Sequence, residues 1–90
     1  MEEVRYETNR YKVLDVREEI GDSKKPIVLI CQEFGGFARR RIEVYNYNWD
    51  PGWIKSYKVA QIVVPGDVIL VHESYNKNGC GGHIIEDIEV

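Results

Sequence analysis

Phe37-Ala38-Arg39-Arg40-Arg41-Ile42-Glu43-Val44-Tyr45-Asn46-Tyr47-Asn48 runs directly into Trp49-Asp50-Pro51-Gly52, and this junction decides the fold. Successive side chains of a strand point to opposite faces. The odd positions therefore put Phe37, Arg39, Arg41, Glu43, Tyr45 and Tyr47 on one face, and the even positions put Ala38, Arg40, Ile42, Val44, Asn46 and Asn48 on the other. The first face is aromatic and basic, whereas the second carries the core residues Ile42 and Val44. Arg40 breaks this division, which predicts either a place at the mouth of a barrel or a shifted register. Asp50 suits a helix N-cap and Pro51 the first helical position, so a short helix is predicted to follow, ending near Tyr57 or Ala60.

Working outward, Gly35-Gly36 reads as a tight hairpin turn, because paired glycines accept the positive φ such turns require. Before it, residues 27–34 are almost continuously apolar, which suits a strand buried on both faces or in a closed barrel. The polar stretch at residues 21–26 reads as an exposed loop. A first strand is predicted over residues 11–20, with Leu14, Val16 and Ile20 on one face. Tyr11 and Val13 fall out of step with them, and a bulge near Val13 or Leu14 would reconcile the two sets. After the helix, Pro65-Gly66-Asp67 marks a turn, residues 68–73 a fourth strand, and residues 74–82 a loop. Residues 83–90 make a last strand with Ile84, Ile88 and Val90 in phase. The predicted order is three strands, a short helix and two strands.

Composition agrees with a mostly β chain, since Val and Ile number 21 and Ala, Leu and Met together 6. Ninety residues make one domain, without room for a separate cofactor-binding domain. With 43% hydrophobic and 30% charged residues the chain can form a core. No run of about 18 apolar residues occurs, and Met1-Glu2-Glu3-Val4-Arg5 lacks the basic and then apolar pattern of a signal peptide, so a cytoplasmic protein with no membrane partner is expected. Cys31 and Cys80 are too few for a disulfide framework and are expected to be free thiols. A net charge of −3 argues against coating duplex DNA by bulk charge. Arg39-Arg40-Arg41, Lys55 and Lys58 still leave room for a locally basic surface, since the acidic residues gather towards the ends. Richness in Ile, Val, Tyr, Arg and Glu is of the kind found in proteins from hot environments.

The pattern of strands, together with Val63-Val64-Pro65-Gly66-Asp67-Val68-Ile69-Leu70-Val71, resembles the OB-fold (oligonucleotide/oligosaccharide-binding) superfamily. There a similar Gly-Asp turn leads into the fourth strand of a five-stranded barrel with a helix between strands three and four. Within that superfamily the chain looks most like the replication protein A type and the OB domains of archaeal tRNA-modifying or aminoacylating enzymes. It lacks the acidic, glycine-rich tail of bacterial single-strand-binding proteins. The resemblance implies a ligand platform on strands two and three, flanked by the loops between strands one and two and between strands four and five. Phe37, Tyr45 and Tyr47 would then stack on bases of single-stranded DNA or RNA and Arg39 and Arg41 would neutralise its phosphates. Lys24 and Lys25 would contribute from one rim and Tyr75 and Lys77 from the other.

Tyr and Arg also alternate on ordinary solvent-facing strands, so a second expectation is an interaction subunit that joins a protein partner through the same face or an edge strand. Trp53 is expected to plug the core beneath the helix, with Trp49 undecided. Cys80-Gly-Gly-His83 gives a C-x-x-H half-site that His72 and Cys31 could complete. Structural zinc sites usually show two tight pairs and this chain has one, so the expectation is no metal and a glycine loop with an incidental thiol and imidazole. No phosphate-binding loop, nucleophile elbow or H-E-x-x-H helix is present, and neither an enzyme nor a cofactor is expected.

Overall fold

The computed structural model describes residues 3–19, 26–76 and 84–90. The strands are β1 (Val4–Glu18), β2 (Ile27–Glu33), β3 (Arg39–Val44), β4 (Val68–Asn76) and β5 (Ile84–Glu89), with the helix α1 (Pro51–Ile62) between β3 and β4. All pairings are antiparallel, and the strands lie side by side in the order β3-β2-β1-β4-β5. The edges of the sheet are therefore β3 and β5, and no pairing joins them among the described residues.

The central strand serves two neighbours in turn. Residues Val4 to Lys12 pair with β4 and Tyr11 to Glu18 with β2, so only Tyr11 and Lys12 are paired on both sides. A bulge at Leu14 marks the change of partner: Val13 pairs with Cys31 and Asp15 with Ile30, leaving Leu14 without an opposite number, and such bulges bend a strand. The turn before β4 docks at this point, with Val13 donating to the Asp67 carbonyl and accepting from the Gly66 N–H, each at 2.8 Å. Gly66 adopts φ 102°, a conformation that disfavours any residue with a side chain.

One face of the sheet holds the core. Val13, Ile27, Leu29, Cys31, Ile42, Val44, Ile69, Val71 and Ile88 pack there with Ala60 of α1 and with Val63. The helix starts where the sequence places it. The Asp50 carboxylate accepts the N–H groups of Gly52 (2.9 Å) and Trp53 (3.3 Å), and Pro51 needs no partner for its nitrogen. Ser56 is buried but satisfied, donating to the Gly52 carbonyl at 2.7 Å. At Gly52 the first turn touches β5 so closely that a Cβ would collide with the Glu86 carbonyl oxygen.

Several boundaries differ from the sequence reading, each for a local reason. The first strand starts at Val4 rather than Tyr11, because its polar first half is held by pairing with β4 and not by apolar alternation. The third strand stops at Val44, and α1 continues to Ile62. Ser74, Tyr75 and Asn76 belong to β4 rather than to a loop, since they pair with Tyr6, Arg5 and Val4. In β5 a bulge at Glu86 shifts the phase. Ile85 and Ile88 therefore face the core, while Ile84 and Val90 are exposed. Ile20 lies outside the described residues.

Candidate nucleic-acid interface

The aromatic and basic stripe predicted along residues 37–47 divides into three parts. At the β2–β3 hairpin the turn closes through Glu33, which donates to the Ala38 carbonyl (2.8 Å) and accepts the Gly36 N–H (3.1 Å), with Gly35 at φ 80°. This turn projects Phe37 outward with 93% of its surface exposed, and Phe34 beside it is 54% exposed. Phe34 donates its N–H to the Arg10 carbonyl at 3.0 Å, and the Arg10 guanidinium lies 5.5 Å from the centre of the Phe34 ring. Arg39 is exposed at the start of β3, and its partner in the ladder is Gln32. Sequence reasoning does not single out Phe34 or Arg10. Phe34 reads there as the end of a buried run, and Arg10 lies ahead of the predicted first strand.

The middle of the stripe is already paired. Arg41 reaches Glu19 at 2.8 Å and Glu43 at 3.2 Å, and Glu43 also accepts the Tyr45 hydroxyl. The Tyr45 hydroxyl and then Arg41 hold the Glu43 carboxyl below the usual carboxylate range. Glu19 and then Glu43 keep the Arg41 guanidinium more firmly protonated than usual. Opposite charges on neighbouring exposed positions thus neutralise one another without a ligand.

The last part leaves the strand altogether. β3 ends at Val44, and beyond it Tyr45 and Tyr47 stack with ring centres 5.3 Å apart, both edge-on to Trp53 at 6.2 and 5.5 Å, ahead of the turn at Asn48 and Trp49. Trp49 continues the series 4.8 Å from Tyr47 and remains 74% exposed. Trp53 packs against the core as expected. The tyrosines therefore bridge β3 and the helix, Tyr45 through its hydroxyl on Glu43 and both rings through Trp53. Of the rim residues, Tyr75 is half-buried in β4, and Lys24, Lys25 and Lys77 lie outside the described residues.

Arg40 turns to the core side, as its even position requires. Its guanidinium meets the fully buried Glu73 carboxylate at 2.5 Å, donates to the Tyr11 hydroxyl at 3.1 Å and lies 5.7 Å from the centre of that ring. Asn9 donates to the other Glu73 oxygen at 3.0 Å. The Glu73 carboxylate, helped by Tyr11, holds Arg40 in its charged form against the effect of burial. Because β2 and β1 lie between β3 and β4 in the sheet, this pair can form only if the sheet curls around its core face.

Of the four candidate zinc ligands, the two that are described, Cys31 and His72, lie on opposite faces of the sheet. Cys31 is fully buried in the core, where desolvation pushes its thiol up to about 11. His72 follows Val71 of the core and so points to the opposite face of the sheet, and Cys80 and His83 lie outside the described residues. On that outer face the His72 Nδ1 sits 2.8 Å from the Thr8 hydroxyl and its Nε2 2.8 Å from Glu89. Lys55 of α1 reaches Asp87 and Glu89, each at 2.9 Å. Lys55 and then His72 hold the Glu89 carboxyl down at about 2.

No described helix is long and apolar enough to cross a membrane. Comparison with protein-family models, with curated proteins and with solved structures finds no match to this chain.

Proposed function

We propose that the chain is a small OB-like barrel that binds single-stranded nucleic acid without catalysing a reaction, at the β2–β3 hairpin. The observation that carries this reading is the pair of exposed rings, Phe34 and Phe37, set beside the arginines Arg10 and Arg39. Exposed aromatic faces stack on any base at about 1–3 kcal/mol each, and arginines supply both phosphate neutralisation and stacking. The strand order, the helix between β3 and β4 and the sharing of β1 by two neighbours support the OB-like reading. The footprint is smaller than the sequence suggests, because Arg41 is neutralised within the protein and Tyr45 and Tyr47 rest on Trp53.

A second reading, a subunit that joins a protein partner, is favoured by the neutralised middle of the stripe and by the edge position of β3. Fluorescence anisotropy with labelled single strands of about 20 nucleotides, a duplex control and two salt concentrations separates the readings. Nucleic-acid binding predicts salt-sensitive affinity that prefers single strands and falls at least tenfold in the Phe34→Ala/Phe37→Ala variant. Absence of binding at low salt overturns it in favour of the protein partner, and affinity unchanged in the double variant overturns the hairpin as the site.

A further inference from the structure

We infer that His72, Asp87 and Glu89 form a site for one divalent transition-metal ion, with Lys55 acting as the resident cation that the metal displaces. The ligand atoms of these three side chains lie within 4.8 Å of one another. Around a tetrahedral ion with bonds of about 2.1 Å, ligand atoms stand about 3.4 Å apart, so the set closes with shifts of an ångström or so. One imidazole nitrogen and two carboxylates form a mixed donor set of the kind that suits zinc and its neighbours better than calcium or magnesium.

Three further observations point the same way. The Thr8 hydroxyl engages His72 Nδ1, which fixes the ring and directs Nε2 into the cluster, as outer partners do for metal-bound histidines. The Asp87 Oδ1 atom is shut off from water yet has no hydrogen-bond partner among the described residues, and an orphaned acceptor of this kind calls for an ion or a water. The cluster already holds a cation, because the Lys55 ammonium lies 2.9 Å from both Asp87 and Glu89. A lysine offers only hydrogen bonds from one point, whereas a metal ion could also engage the imidazole that Lys55 does not touch.

The competition makes the site testable on the whole protein. Zinc is titrated calorimetrically, and cobalt, which colours on coordination, reports the donor set. One equivalent should bind; His72→Ala and Asp87→Asn should each weaken binding at least tenfold, and Lys55→Met should tighten it at least tenfold by removing the competing charge. A Cys80→Ser/His83→Ala variant should retain full affinity. The site is overturned by any of three results: no uptake at about 100 μM zinc, uptake that Lys55→Met leaves unchanged, or uptake that follows Cys80 and His83 instead. Circular dichroism on each variant separates loss of the site from loss of the fold.

Discussion

Arg40 and Glu73 carry much of what is unusual in this protein. A carboxylate with no exposed side-chain surface is held by one guanidinium at 2.5 Å and one amide at 3.0 Å, on the face that otherwise packs Val, Ile and Leu. Removing one member of such a pair leaves the other charge buried without its counter-charge, at a cost of about 3–5 kcal/mol, whereas replacing both with apolar residues can be neutral or stabilising. Arg40→Met should therefore lower the unfolding free energy by about that amount, and Arg40→Met/Glu73→Met should recover most of it. Urea titrations of the two variants check this, and a single variant no less stable than the parent would show that the pair contributes nothing. The sequence marks Arg40 as out of place, because it shares a strand face with Ile42 and Val44. Its partner is invisible there, since Glu73 lies in a strand that meets β3 only through the curl of the sheet.

At the level of elements, the features that read well are those with local causes. Asp50 and Pro51 start α1, and the glycine pair turns β2 into β3. Val13 falls out of step with Leu14 and Val16 in any simple alternation, and this signals the bulge that lies between Val13 and Asp15. What cannot be read depends on distant partners. The first half of β1 has Glu7 and Asn9 where a core strand would have apolar residues, and it is a strand because β4 pairs with it. Tyr45 and Tyr47 keep the alternation of β3 in sequence, but the strand ends at Val44 and their rings find Trp53 of the helix that follows the turn at Asn48 and Trp49. The contact between α1 and β5 gives a sharp test. Gly52→Ala would drive a Cβ into the Glu86 carbonyl, and since backbone cannot yield as a flexible side chain does, destabilisation of about 1–3 kcal/mol is expected. A thermal midpoint unchanged from the parent would mean that the helix can slide away from β5 at no cost.

Over the whole molecule, the outer face is laced with charge pairs that tie stability to pH. The Arg17 side chain holds the Asp15 carboxyl below its usual range, and the Tyr45 hydroxyl and Arg41 do the same for Glu43. A carboxyl depressed in the folded state contributes stability that is fully present above its unfolded range, about pH 4, and is lost as pH falls through the folded value. Stability should therefore decline as the pH falls below about 4. The Asp15→Asn/Glu43→Gln variant should show a flatter stability profile there, measured by denaturant titration at several pH values. An identical profile would assign the acid sensitivity to other groups.

The division of β1 between two neighbours also sets an order of assembly. Its second half meets β2 across a short connection, but its first half must wait for β4, with Val4 opposite Asn76 near the far end of the chain. Closing so long a loop is entropically slow, and chains dominated by such distant pairings fold in about milliseconds to seconds rather than microseconds. During synthesis the β1–β2–β3 meander can form early, while the edge of β1 stays open to the wrong partner until β4 has emerged to cover it.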